Sequence, residues 1–233
     1  MNHLNSISIA VLSASLLGCG GEVYQRSIDE DASAQAGSFE RLSGPIHSPA
    51  GWSSRVEVFI DRTDNEFVKS ALRTAIKTWN DAADADIARF NGVYNAKDDA
   101  SLFESLGDDT TVVYLISQWN KTTGKSPTVL GTTIWENSAN DPSSISKGDI
   151  KLNTQNYRFI DSANPPADVD SDDSYVDAET VLLHELGHLF GLDHVNDEED
   201  SAMLPRALTG VYRHNRDLGD GDIERIREIY RNR

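Results

Sequence analysis

The sequence predicts an α/β fold of the α+β kind: a twisted mixed sheet of about five strands, two long helices packed on it, and a further C-terminal helix. Three observations carry this. Apolar residues recur at spacings of three and four between Phe67 and Trp79. Five short β-like runs lie at 55–61, 87–94, 111–116, 128–135 and 149–153. The elements follow the order strand, helix, several strands, helix, loop, helix, with no internal repeat.

The N-terminus comes first in chain order. Ile7 to Leu17 is an apolar run, too short for a bilayer span of about 20 residues and suited to the core of an export signal. It ends in Leu16-Leu17-Gly18-Cys19, which resembles the lipobox of bacterial lipoproteins. The resemblance implies removal of residues 1–18 as a signal peptide and lipidation of Cys19. Gly20, where an aspartate would signal inner-membrane retention, implies the outer membrane or cell surface, with a periplasmic face as the alternative. Residues 19–50 carry Gly20-Gly21, the acidic run Asp29-Glu30-Asp31, small residues and two prolines. Lacking apolar periodicity, they read as a flexible tether, leaving 51–233 as one domain.

Within that domain Arg55 to Asp61 partly alternates and reads as a strand. Thr63 and Glu66 offer a capping box, opening a helix whose apolar face runs through Phe67, Val68, Ala71, Leu72, Ala75, Ile76 and Trp79. Ile87 to Tyr94 is a weaker strand. Thr111 to Ile116 is a strong, buried β run. Thr128 to Trp135 is another, broken by Gly131, and Asp149 to Asn153 alternates as a short strand. After an acidic segment comes a helix near 177–190, stopped by Gly191. A long loop leads to the last helix, about 220–231, with Ile223, Ile226 and Tyr230 on one face.

Charge excludes some partners. The chain has 21 basic and 38 acidic residues, a net charge of −17. Nucleic acid needs clustered cations to replace its counterions, and anionic lipid needs a basic patch, so neither is expected to bind this surface. Any membrane contact is expected through Cys19 alone, on a monomeric chain. Cys19 is the single cysteine, so an intrachain disulfide is impossible.

The chemistry is concentrated at 184–194, His-Glu-Leu-Gly-His-Leu-Phe-Gly-Leu-Asp-His. Residues four apart share a helix face, so His184 and His188 can address one metal. Gly191 can take the left-handed conformation that ends a helix, after which the chain turns back and brings His194 from another direction. Three imidazoles leave a fourth zinc position for water, as in catalytic rather than closed structural sites. Glu185 lies beside the first ligand, where a structural site would need no carboxylate. A chance match to five fixed positions is roughly 10⁻⁵ in a chain of this composition, and three of the six histidines fall on the pattern.

This pattern resembles the motif of the metzincin zinc metallopeptidases, and its surroundings resemble the matrixins. Gly191 to His194 is similar to the matrixin ending of the motif. Ser201-Ala202-Met203-Leu204-Pro205 resembles the Met-turn, a hydrophobic floor under the zinc. Residues 218–223, with Ile226 and Tyr230, resemble the terminal helix and its entry. Gly148 to Asn153 resembles the edge strand along which these enzymes lay substrate, and residues 74–81, centred on Trp79-Asn80, resemble the first family helix.

The resemblance implies a zinc cleft with His184, His188 and His194 as metal ligands, Glu185 as catalytic general base and Met203 as the Met-turn methionine. It implies a zinc-dependent endopeptidase acting on protein or peptide. The latency cysteine of the family has no counterpart near the domain. His3, His47 and His214, the remaining histidines, do not fall in the middle strands, so the second, structural zinc of animal relatives is not expected. Ala207 stands where many relatives place a tyrosine in the pocket wall. Calcium is a second candidate cofactor: Asp168, Asp170, Asp172, Asp173 and Asp177 could supply oxygen ligands, though without EF-hand spacing, and the plainer reading makes Asp177 the cap of the zinc helix. The rival functional class is a non-catalytic surface-binding lipoprotein stabilised by zinc.

Overall fold

The computed structural model describes residues 51–62, 65–94, 106, 109–165, 174–196, 198, 200–207, 209–210 and 214–231, with 36–39 and 208 as backbone alone. Cys19, the export signal and Asp168 to Asp173 lie outside the described residues.

Ten strands and four helices are described: β1 (Ala36–Phe39), β2 (Gly51–Trp52), β3 (Val56–Asp61), α1 (Glu66–Ala83), β4 (Ala88–Tyr94), β5 (Thr111–Ile116), α2 (Trp119–Thr123), β6 (Val129–Ser138), β7 (Asp141–Asn153), β8 (Arg158–Ile160), β9 (Tyr175–Asp177), α3 (Ala178–Leu189), β10 (Arg206–Leu208) and α4 (Asp220–Tyr230). The main sheet runs β10-β1-β6-β7-β5-β3-β4, with β2 also paired to β7. Strands β4, β3, β5 and β7 pair in parallel, while β6 runs antiparallel to β7. The five expected strands are contiguous in this mixed sheet, from β6 to the terminal β4.

Burial alternates along β3, with Val56, Val58 and Ile60 inside and the intervening residues less buried, the period-two signature of a strand covered on one face. The covering layer is α1 and α3. Leu72, Ala75, Ile76 and Trp79 of α1 are buried together with Val181, Leu182, Leu183 and Leu186 of α3. The indole N–H of Trp79 donates to the Leu183 carbonyl at 2.9 Å, so a fully buried ring also satisfies its polar atom. Asn80 closes the turn into β4: its side chain donates to Ala88 O and accepts from the amides of Ile87 and Ala88. On the opposite face a smaller cluster gathers Val112, Tyr114, Ile116, Trp119 and Val129.

Several boundaries differ from expectation. The α1 cap is Asn65, whose side chain accepts from the amides of Phe67 and Val68; Thr63, the expected cap, lies outside the described residues. Asp149 to Asn153 is the end of a 13-residue strand, not a short one. It is also interior: Ile150 to Asn153 pair with Val113 to Ile116 on one side, and Ile150 to Leu152 pair with Gly131 to Thr133 on the other. The run 149–153, expected as the edge strand that takes substrate, is therefore not an edge of the sheet. Residues 36–39, read as part of a flexible tether, form β1, parallel to β6 and antiparallel to β10.

Candidate metal centre and cleft

The site is built on α3, the turn after it and the edge of the sheet. Helix α3 starts at Asp177, whose carboxylate accepts from the Thr180 amide at 2.8 Å and from its hydroxyl at 2.9 Å. The same carboxylate takes the Ser162 amide at 3.0 Å and is paired with Arg216, which also pairs with Asp161. Burial alone would raise Asp177; the Arg216 guanidinium and the two amides more than offset this, and the group is held below the usual carboxylate range. Asp177 is thus the cap of the zinc helix.

The helix ends at Leu189. Gly191, at φ 101°, turns the chain so that the amides of Gly191 and Leu192 close on His188 O and Gly187 O. This brings His194 back over the two helical histidines. Its Nε2 is 3.0 Å from Nε2 of His184 and 3.0 Å from Nε2 of His188.

The outer nitrogens explain why these atoms face each other. His184 Nδ1 lies 2.7 Å from the Ala202 carbonyl and His188 Nδ1 lies 2.8 Å from the Leu192 carbonyl. A carbonyl only accepts, so both Nδ1 atoms carry the proton and both Nε2 atoms present lone pairs inward. At least two lone pairs therefore face one point, an arrangement suited to holding a cation. Burial, then the neighbouring imidazoles, hold His184 well below the ordinary histidine range, keeping it the neutral ligand that metal needs. Among the described residues these three form the cluster with metal-ligand spacing. The donor set is that of a three-histidine zinc site.

Glu185 is fully buried. The Thr133 hydroxyl lies 2.6 Å from its Oε2 and 2.9 Å from its main-chain carbonyl, two acceptors that share one O–H proton. Its Oε1 has no hydrogen-bond partner, an orphan that calls for a ligand, such as a water, held at the site. Burial pushes this carboxyl up to about 8, against the opposing effects of the Thr133 hydrogen bond and the Lys125 charge.

Met203 is fully buried and lies under α3 at Gly187, where an added Cβ would come within 2.3 Å of its Sδ. The turn that carries it is pinned from α4. Buried Asp222 accepts from the Ser201 hydroxyl at 2.6 Å, the Ala202 amide at 2.7 Å and the Gly219 amide at 3.1 Å. Asp222 thereby fixes Ala202, the residue whose carbonyl orients His184.

Sequence reasoning named the 218–223 segment but not this role for Asp222, and it missed Thr133 entirely. It read Gly131 as a break in a strand. In the structure a Cβ there would fall 2.7 Å from Glu185 Oε1, so glycine makes room for the carboxylate. Ala207 lies buried in β10.

A stretch of 55 residues is 46% identical to Metalloendoproteinase 2-MMP of Arabidopsis thaliana, covering 24% of this chain and 14% of that protein. Among solved structures, myroilysin aligns over 79% of this chain and 83% of its own at 12% identity, with a TM-score of 0.40. The profile of the matrixin peptidase family matches residues 54–231. The span of that match takes in the three histidines, Glu185, the Met203 turn and α4, and on it the chain belongs to the matrixin family.

Proposed function

We propose that the chain is a zinc-dependent endopeptidase in which Glu185 is the general base. The observation that carries this is the convergence of three imidazoles, with His194 Nε2 3.0 Å from Nε2 of both His184 and His188, together with a buried carboxylate that has one unpartnered oxygen. Zinc, when held by His184, His188 and His194, supplies a Lewis acid that polarises the scissile carbonyl and acidifies a water. Glu185 takes the proton of the attacking water at Oε1 and delivers it to the departing amine.

Substrate adds as an extended strand to β6 along Val129 to Gly131, contributing main-chain hydrogen bonds. Ser38 and Phe39 of β1 pair with that same stretch, so β1 and substrate compete for one edge and β1 must leave before a peptide enters. Cys19 anchors the chain by lipid to the outer membrane or cell surface, and residues between it and the domain serve as the tether.

The test is a profile of peptides cleaved by zinc-loaded protein, with the metal content measured. Cleavage of internal peptide bonds, lost on chelation and restored by zinc, is expected. Failure of the zinc-loaded chain to cut any peptide would overturn the endopeptidase reading in favour of a binding protein.

A further inference from the structure

We propose that Thr133 is a positioning residue for Glu185, holding Oε2 against the sheet so that Oε1 is presented to the reacting water; this rests on the endopeptidase reading above. Thr133 is 1% exposed and Glu185 0%, so no bulk water competes for the contact. The Thr133 hydroxyl reaches both the tip and the root of the same side chain, Oε2 at 2.6 Å and the main-chain carbonyl at 2.9 Å. Among the described residues no other donor reaches the carboxylate.

The strand geometry makes the arrangement one unit. Residues two apart on a strand face the same side, so Gly131 and Thr133 both address α3. Gly131 supplies space for Oε1, and Thr133 supplies the donor for Oε2. A glutamate with three free side-chain torsions would otherwise sample several rotamers, at an entropic cost to each productive encounter. Tying tip and root to one hydroxyl removes that freedom. The contact at 2.6 Å is also in the range of a charge-assisted O–H···O bond. A purely structural role would treat the hydroxyl as a clamp between β6 and α3, indifferent to the carboxylate.

Thr133→Val removes the hydroxyl and keeps the shape; Thr133→Ser keeps the hydroxyl. Each is assayed on a cleaved peptide, with zinc content and Tm recorded, in the wild-type and Glu185→Gln backgrounds. The valine variant is expected to hold zinc, to keep KM within about twofold, and to lose about 10- to 100-fold in kcat, the usual range for removing a partner that orients a site. Serine is expected to recover most of that loss. In the Glu185→Gln background the valine change should add less than about twofold, because two groups acting through one carboxylate are not additive. Thr133→Ala takes the place of valine if valine is too unstable to assay. Unchanged kcat in the valine variant, an equal loss in serine, or a full additional loss in the Glu185→Gln background would overturn the proposal. Absence of cleavage by zinc-loaded wild type would instead overturn the endopeptidase reading on which it rests.

Discussion

Two of the three clustered histidines have a second, main-chain partner, and those partners decide how far a substitution reaches. His184 and His188 are oriented by main-chain carbonyls of Ala202 and Leu192, while His194 is brought in by the turn at Gly191. His194→Ala should therefore lower zinc affinity while leaving α3 helical, which metal titration and far-UV circular dichroism can check together. Gly131→Ala is a sharper probe. Its Cβ would meet Glu185 Oε1 at 2.7 Å, too close for either to stay. The expected outcome is zinc retained and turnover lost; full activity would mean that Oε1 does not occupy the productive position. The histidines and Glu185 were legible because metal ligation fixes residue type and spacing along the chain. Thr133, Gly131 and Asp222 were not, because they meet the site across 52, 54 and 20 residues of sequence, a proximity created only by folding.

At the level of elements, the periodic segments could be read and the pairings could not. Helix α1 follows from spacing alone: Val68, Ala71, Leu72, Ala75, Ile76 and Trp79 of the predicted stripe are buried, whereas Phe67, expected on the same face, is exposed in the first turn. Strand β7 shows the limit. A short alternating run looks the same at an edge and in the interior, and only the partners on both sides of Ile150 to Leu152 place it inside. Strand β1 shows another. Ala-Gly-Ser-Phe has little intrinsic strand preference, and it pairs because β6 and β10 each offer it a row of backbone groups. Ser38→Pro removes an N–H from this ladder and should weaken the pairing. If β1 and substrate share the β6 edge, this variant should cleave peptide with a higher kcat/KM than wild type and unchanged zinc content. Equal kcat/KM would show that β1 does not restrict entry.

Over the whole molecule, acid should act through buried and paired groups. Asp161 is held at about 2 by hydrogen bonds from Arg216 and Asn164, against an ordinary 3.8, and Asp177 is lowered as well. A carboxyl whose folded pKa is depressed contributes stability fully present above its unfolded value and lost as pH falls through its folded value. The Arg216 network should thus be intact above about pH 4 and fail between about pH 4 and 2. His184, lowered from 6.5, works in the same direction at higher pH: the unfolded chain binds its proton first, so stability falls as pH drops below about 6.5. Arg216→Gln leaves the Asp177 side chain, 1% exposed, without its cation. The expected loss is about 3–5 kcal/mol at pH 7, shrinking toward pH 3 as the carboxyl protonates. Denaturant unfolding at several pH values measures both. A loss independent of pH would mean that the arginine acts by packing.

The central claim is that the buried carboxylate beside three converging imidazoles is a base and not a prop, and Glu185→Gln tests it most directly. Glutamine keeps the size and the Thr133 contact but cannot take a proton. The measurement is the rate of peptide cleavage by wild type and Glu185→Gln at equal, verified zinc content. The account predicts an intact fold, one zinc per chain in both proteins, and a loss on the order of 10²–10⁴-fold in kcat for the variant. Equal cleavage by the two proteins would contradict it.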